Sequence, residues 1–176
     1  MPTVLDTARV YEGSYFAVEH STLRFPGGAE SRRSVVRHPG AVALVALQDD
    51  GRLLLVEQYR HATGRRMREV PAGTREPGET PEVTARRELR EETGYDAASI
   101  IRIGGAWAAP GFTDEYIDYY LASGLFPAPL ATGDEDDLGA PIAITIEALD
   151  AAIAAGTIED AKTIVALSLY RHHAPA

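Results

Sequence analysis

The chain has 176 residues, 45% of them hydrophobic, and a formal net charge of -9 at pH 7. This length suits one domain with a sizeable hydrophobic core. The absence of cysteine excludes disulfides, thiolate metal sites and cysteine nucleophiles, and the acidic balance argues against a general nucleic-acid-binding protein, which needs a basic surface.

The start of the sequence shows no sign of a targeting signal. Residues 1–16 lack a basic region followed by an apolar run, and no apolar stretch approaches the ~18 residues that a membrane span needs. We therefore expect a soluble cytoplasmic protein with no membrane partner.

The N-terminal part reads as an antiparallel β appendage. From about Val10 to Leu23, aromatic and aliphatic residues alternate with polar ones, and the turn sequence FPGG follows. This pattern predicts a β-hairpin. We assign residues 1–36 to this appendage and residues 37–176 to the main domain.

Two buried strands are predicted next. Ala41–Leu47 and Leu53–Gln58 are short apolar runs, and the segment between them contains Asp49-Asp50-Gly51, a strong hairpin signal.

A helix is then predicted from Thr80 to Thr93. Thr80 offers a capping hydroxyl, Pro81 suits the first helical position, and Glu82 faces the positive end of the helix dipole. Gly94 ends the helix.

The remainder of the chain alternates strands and helices around one long loop, Phe126–Pro141. Further strands are predicted over Ile100–Trp107, Glu115–Ala122 and Ile142–Ile146, and helices over Ile146–Ala155 and Glu159–His172. This order predicts an α/β sandwich with a mixed sheet and helices on its faces.

The helix that follows Thr80 is unusually acidic. Glu88 lies three residues before Glu91 and four before Glu92, so these carboxylates project from one face and repel one another. Arg87 can compensate in part, and Mg²⁺, which binds oxygen ligands and bridges carboxylates to phosphates, does so better. An ordinary solvated charged helix is the alternative interpretation.

The wider spacing decides between these interpretations. The sequence GTREPGETPEVTARRELREETGY, residues 73–95, resembles the Nudix box of the Nudix hydrolase family. The matching positions are Gly73, Glu79, Arg87, Glu88, Leu89, Glu91, Glu92 and Gly94. Only Tyr95 departs, since an aliphatic residue is usual there.

This resemblance implies a Nudix-type α/β/α sandwich that uses Mg²⁺, with Mn²⁺ able to substitute. It implies metal ligands at Glu88, Glu91 and Glu92, with the carbonyl of Ala72 adding another. Arg87 is expected to orient the glutamates, and we count it and Glu91 among the catalytic groups.

Segments outside the box resemble the ADP-ribose pyrophosphatase branch of the family. Pro110 lies in the loop APGFTDE, which is similar to a proline-bearing loop of that branch, and the likeness extends from about His38 to Leu167. By itself Pro110-Gly111 is typical of a type II turn.

The resemblance also implies substrate contacts. Arg60 is a candidate for a phosphate, since the guanidinium fork suits it, and Glu115 for the terminal ribose hydroxyls. Glu69 and Arg37 are further candidates, although a buried Glu69 could simply pair with an arginine. Trp107 could stack on adenine, but a tryptophan at such a position is more often part of the hydrophobic core.

A general base is also required. Similar pyrophosphatases use a glutamate of a mobile loop, and Glu135 is the only glutamate in the acidic run 134–137. We therefore select Glu135, although an acidic surface loop would look the same.

These expectations define one reaction and two alternatives. Metal-activated water would cleave the pyrophosphate of ADP-ribose to give AMP and ribose 5-phosphate. The alternatives are hydrolysis of another nucleoside diphosphate sugar, such as GDP-mannose, and a non-catalytic sensor of ADP-ribose. By the same resemblance we expect a small-molecule nucleoside diphosphate substrate and a homodimer in which residues 1–36 are the dimerisation element. The acidic net charge predicts no nucleic-acid partner.

Overall fold

The computed structural model describes residues 1–130 and 138–173. Within this range the strands are β1 (Thr3–Glu12), β2 (Ala17–Arg24), β3 (Glu30–Arg37), β4 (Ala41–Leu47), β5 (Leu53–Arg60), β6 (Arg65–Glu69), β7 (Ala72–Thr74), β8 (Tyr95–Trp107), β9 (Tyr116–Pro127) and β10 (Ile142–Ile144). The helices are α1 (Pro81–Thr93), α2 (Ile146–Ala154) and α3 (Ala161–His173).

A mixed sheet forms the centre of the domain. Its strand order is β10-β5-β4-β9-β8, with β6 paired to β5 and β7 paired to β4. The central strands β4 and β9 run parallel, whereas the other pairs are antiparallel. The predicted mixed sheet is confirmed.

Helices cover both faces of this sheet. Side chains of β4 alternate between the two faces, so Val42 and Leu44 pack with Leu89 of α1, whereas Ala43 and Val45 pack with α2 and α3. The nearly continuous apolar sequence of β4 is typical of a strand buried on both sides. The predicted sandwich is therefore confirmed.

Helix α1 begins and ends as its sequence predicts. The hydroxyl of Thr80 accepts a hydrogen bond from the Val83 N–H, and Pro81 opens the helix. Gly94 adopts the left-handed conformation, with φ of 76°, and its N–H donates to the carbonyl of Arg90. A side chain is disfavoured at that φ, which explains the glycine.

The N-terminal appendage has one more strand than the predicted hairpin. The sequence indicated a hairpin within Val10–Leu23, whereas β1, β2 and β3 form a separate three-stranded antiparallel sheet. Every residue of β1 is exposed, so this strand lacks the contrast between a buried and a solvated face on which strand prediction depends.

The strands β6 and β7 were not predicted. The sequence of β6, RRMRE, is strongly charged, and its pairing with β5 places most of it at the surface. β7 is only three residues long. β8 also extends from Tyr95, earlier than the predicted start at Ile100.

None of the helices within the described ranges combines the length and the apolar character needed to cross a bilayer.

Replacing Leu89 with alanine tests the packing of α1 against the sheet. Leu89 is fully buried, so we expect Leu89→Ala to lower the free energy of unfolding by about 2–5 kcal/mol. Urea denaturation measures this change. Val83→Ala on the same helix, where the side chain is exposed, is the control and should change stability by less than about 0.5 kcal/mol. Equal effects of the two substitutions would contradict this orientation of α1.

Candidate active site

The acidic face of α1 lies against the short strand β7. Glu88 and Glu92 are both buried, and Glu91 is half-buried. The Ala72 N–H donates to the Glu92 carboxylate at 2.9 Å. A Cβ added to Gly73 would overlap the carboxylate of Glu88. The absence of a side chain at Gly73 therefore allows a carboxylate to lie directly against the backbone of β7.

Arg87 gathers most of the remaining charge on this face. Its guanidinium donates two hydrogen bonds to Glu79, at 2.9 and 3.0 Å, and one each to Glu88 at 2.7 Å and Glu91 at 2.9 Å. It also donates to the carbonyl of Thr74 at 3.1 Å. One cation therefore joins α1, the preceding loop and β7.

These contacts act strongly on Glu79. Chiefly through its hydrogen bonds with Arg87, the pKa of Glu79 is lowered to about 2, and the pKa of Arg87 is raised. The Glu76 N–H and the Thr84 hydroxyl also donate to Glu79. Glu79 is thus an ionised anchor for Arg87 at neutral pH.

Glu92 has the opposite environment. Burial, reinforced by the charge of Glu88, raises the pKa of Glu92 to about 8, although the Ala72 N–H and the nearby cations Arg60 and Lys162 oppose this shift. Within the described residues Glu92 forms no ion pair. Unless a cation is bound beside it, its carboxyl is therefore mostly protonated at neutral pH.

A divalent cation fits this set of oxygen donors. Among the described residues, no three carboxylates or imidazoles converge on one point, since Glu88 and Glu91 turn towards Arg87. Mg²⁺ needs only one or two protein carboxylates, because water and substrate phosphates complete its octahedron. The buried Glu92 and the Glu88 carboxylate on Gly73 meet that requirement.

A second charged network lies on the other side of β7. Glu69 is almost completely buried and accepts two hydrogen bonds from Arg60, at 2.9 and 2.6 Å. Lys162 of α3, a residue that no sequence pattern indicated, also donates to Glu69. Burial alone would raise the pKa of Glu69, but Arg60 and Lys162 overcome it and the pKa lies below its ordinary value. The suggested pairing of a buried Glu69 with an arginine is therefore present.

Two of the predicted substrate residues share a small cavity. Arg60 and Glu115 border a space of about 250 Å³ together with Ala72, Gly73 and Lys162. The cavity opens beside the same β7 backbone that contacts the α1 carboxylates. The structure thus brings Arg60, Glu115 and the acidic helix to one locality.

Arg37 lies elsewhere. It borders a larger cavity of about 890 Å³ between the N-terminal sheet and the box, which Tyr15, Phe16 and Glu88 also line. Its guanidinium pairs with Glu19 at 2.7 Å and with Asp114 at 2.9 Å. Arg37 therefore joins the appendage to the loop that follows β8.

That loop carries Pro110 at its exposed outer end. The Phe112 N–H donates to the carbonyl of Ala109 at 3.1 Å, which makes residues 109–112 a turn. Gly111 lacks a positive φ, so the turn is not the type II form that Pro-Gly alone suggested. Trp107 is 56% exposed and packs edge-on against Tyr116, which excludes it from the core. Glu135 lies outside the described residues.

Comparisons with known proteins bear on the family and the fold of the chain. Residues 36–167 match the model of the NUDIX domain. The chain is 38% identical to a methanol dehydrogenase activator of Bacillus methanolicus, over 93% of this chain and 89% of that protein. It is 36% identical to an ADP-ribose pyrophosphatase of Bacillus subtilis, over 90% and 86% respectively. The crystal structure of an ADP compounds hydrolase has the same fold, with a TM-score of 0.85, 24% identity and coverage of 98% and 93%.

The ion pair between Glu79 and Arg87 predicts a pH-dependent contribution to stability. Because the pKa of Glu79 is about 2 in the folded protein and about 4.5 as its ordinary value, the stabilisation is complete above the ordinary pKa and is lost as the pH falls towards 2. We expect Glu79→Gln to lower the free energy of unfolding at pH 7 by about 1–3 kcal/mol. Urea denaturation from pH 7 to pH 2 measures this difference.

The matched control is Glu82→Gln, which changes an exposed glutamate near the start of the same helix. The stability difference between wild type and Glu79→Gln should shrink as the pH approaches 2, whereas Glu82→Gln should follow the wild type throughout. A constant difference across this range would show that Glu79 contributes by packing and not through its charge.

Proposed function

Because this chain belongs to the NUDIX domain family, we propose that it hydrolyses the pyrophosphate bond of ADP-ribose to AMP and ribose 5-phosphate. The observation that carries the proposal is the meeting of the α1 carboxylates and the Ala72–Gly73 backbone beside a cavity that contains Arg60. Anion-binding and cation-binding groups thus lie within one site, as pyrophosphate chemistry requires.

The substrate assignment draws on similarity as well as geometry. The relative from B. subtilis, which aligns with nearly the whole chain, is an ADP-ribose pyrophosphatase. The small cavity supports it because Arg60 supplies a guanidinium for a phosphate and Glu115 supplies acceptors for ribose hydroxyls. GDP-mannose and other nucleoside diphosphate sugars are the alternative substrates.

Glu88, Glu91, Glu92 and the carbonyl of Ala72 are the proposed ligands of Mg²⁺, with Mn²⁺ as a substitute. When bound, the cation would neutralise the pyrophosphate and lower the pKa of the attacking water. Arg87 acts by holding Glu88 and Glu91 in reach. To take part as ligands, these two carboxylates have to exchange part of their contact with Arg87 for the cation.

The other residues have separate parts in the proposal. Glu69 acts through Arg60, because its carboxylate holds the Arg60 guanidinium in place. Glu69 itself is buried and has little surface that a substrate could contact. Arg37 and Pro110 shape the approach from the large cavity and the outer loop. Glu135 accepts the proton of the attacking water, because it is the only glutamate of the acidic run 134–137.

The N-terminal sheet supports a homodimer. All ten residues of β1 are exposed, and the apolar side chains of Val4, Leu5, Val10 and Tyr11 are among them. An exposed strand of this kind is a surface on which a second copy can bury apolar area. We include dimerisation through the appendage in the proposal.

Glu92→Gln tests the metal-dependent reaction. Removing this charge while keeping its shape should lower kcat/KM for ADP-ribose by several orders of magnitude, because the cation loses a ligand at the reacting pyrophosphate. A coupled phosphatase assay with Mg²⁺ measures release of phosphate from the products of ADP-ribose, GDP-mannose, ADP-glucose and diadenosine polyphosphates.

Glu82→Gln is again the control, since the same change on the exposed side of α1 should leave activity within about twofold, as expected of a surface site far from chemistry. Faster turnover of another compound would show that this compound, and not ADP-ribose, is the preferred substrate, and the proposed pyrophosphate hydrolysis would be retained. Tight binding of ADP-ribose without turnover would favour the sensor.

Deletion of residues 1–12 tests the dimer. Light scattering should give twice the mass of one chain for the intact protein and a lower mass for the truncated protein, because β1 provides exposed apolar surface. A monomeric intact protein would contradict the proposed assembly.

A further inference from the structure

Lys162 is the only lysine of the chain, although the sequence contains 17 Lys and Arg residues. All the other residues of this set are arginines, so their positive charge is carried by a guanidinium. A lysine differs because its ammonium is compact and carries three donors that rotate, whereas a guanidinium presents a rigid planar fork. The position of this one lysine is therefore informative.

The ammonium of Lys162 is held at a defined point. It donates to the buried carboxylate of Glu69 and to Asp160 at 3.0 Å. Asp160 is itself fixed, because its other carboxylate oxygen accepts from the Thr163 N–H at 2.9 Å and from the Thr163 hydroxyl at 2.6 Å. Two of the three ammonium donors are thus engaged, and within residues 1–130 and 138–173 the third has no protein partner and is available to a ligand.

The available donor belongs to a side chain that borders the small cavity. Lys162 and Arg60 both line this cavity, next to Ala72, Gly73 and Glu115. The two cations share one buried carboxylate, Glu69, which lies behind them. A cavity with two fixed cations at its wall suits an anionic oxygen.

We propose that Lys162 binds substrate directly. Its ammonium donates to a phosphoryl oxygen of the distal half of the substrate, which is the half that leaves as ribose 5-phosphate and not as AMP, and it does so alongside Arg60. This inference rests on the proposed function, because it assigns a subsite within the same pocket. Lys162 thereby selects compounds whose distal half carries its phosphate next to a group that Glu115 can bind. Arg60, whose Nε and Nη2 are held by Glu69, offers its remaining N–H donors, and Lys162 adds a compact point charge held between Glu69 and Asp160.

A purely structural role makes a different prediction. If Lys162 served only to neutralise Glu69, its loss would lower the melting temperature, and ligands would not protect its amine. If it binds substrate, ligands will shield the amine and its loss will weaken the binding of the distal half alone. Two measurements separate these roles without requiring turnover.

The first measurement uses the single lysine as a reporter. The chain has two amines, Lys162 and its N-terminus, so limiting acetic anhydride labels both and mass spectrometry quantifies each. A methylene analogue of ADP-ribose, which resists hydrolysis, is added at saturation with Mg²⁺. We expect severalfold slower acetylation of Lys162 and an unchanged rate at the N-terminus. Equal labelling of Lys162 with and without the bound analogue would overturn the proposal.

The second measurement compares Lys162→Met with Arg65→Met by calorimetric titration of ribose 5-phosphate and of AMP. Lys162→Met should weaken ribose 5-phosphate binding on the order of 10- to 100-fold, as for the loss of one charge-assisted hydrogen bond. AMP binding should change little. Arg65 is the control, because its ion pair with Glu159 also joins β6 to the residues before α3 but is exposed.

The outcomes distinguish this inference from the proposed function. If wild type binds both ligands and Lys162→Met binds ribose 5-phosphate as tightly as wild type does, the proposed role of Lys162 is wrong, and the proposed hydrolysis of ADP-ribose is unaffected. If wild type binds neither ribose 5-phosphate nor the analogue, both proposals fall. Selective loss of ribose 5-phosphate binding, with Arg65→Met unchanged, supports both.

Discussion

The contact of Arg87 with three carboxylates is the interaction on which the acidic site depends. Glu79, Glu88 and Glu91 would repel one another in a partly buried space, and a single guanidinium holds them together. Because Glu79 comes from the loop before α1 and Arg87 also binds the carbonyl of Thr74, the same contact fixes the loop and β7. The guanidinium of Arg87 therefore both balances the charge of the carboxylates and fixes the backbone of β7.

The segment that leads into β7 extends this constraint to the opposite face of the sheet. The Val70 N–H donates to the buried hydroxyl of Thr163 on α3 at 2.9 Å, and the Leu44 N–H donates to the carbonyl of Pro71 at 2.8 Å. Ala72, two residues after Val70, donates its N–H to Glu92 of α1. Helices from both layers therefore contact one short segment, Val70–Gly73, which explains how residues so distant in sequence form one site.

The parts that could be predicted from the sequence have strong local causes. Helix α1 carries its own start and stop signals at Thr80, Pro81 and Gly94, and β4 is apolar enough to be buried on both faces. The box spacing predicts which acids share a helix face. In contrast, β6 and β7 form only because β5 and β4 offer partners, and the contact between Glu69 and Lys162 spans 93 positions. Such long-range pairings leave no periodic signal.

The two networks on either side of β7 differ in their charge balance. Towards α1, one guanidinium faces three carboxylates, and among the described residues Glu92 forms no ion pair, so burial and the charge of Glu88 raise its pKa to about 8. Towards α3, two cations, Arg60 and Lys162, face two carboxylates, those of Glu69 and Asp160. The first network therefore carries an excess of acidic groups that a divalent cation can neutralise, whereas the second holds its cations at fixed points without such an excess. In the proposed reaction, a pyrophosphate that bridges the divalent cation and these basic groups joins the two networks across one strand.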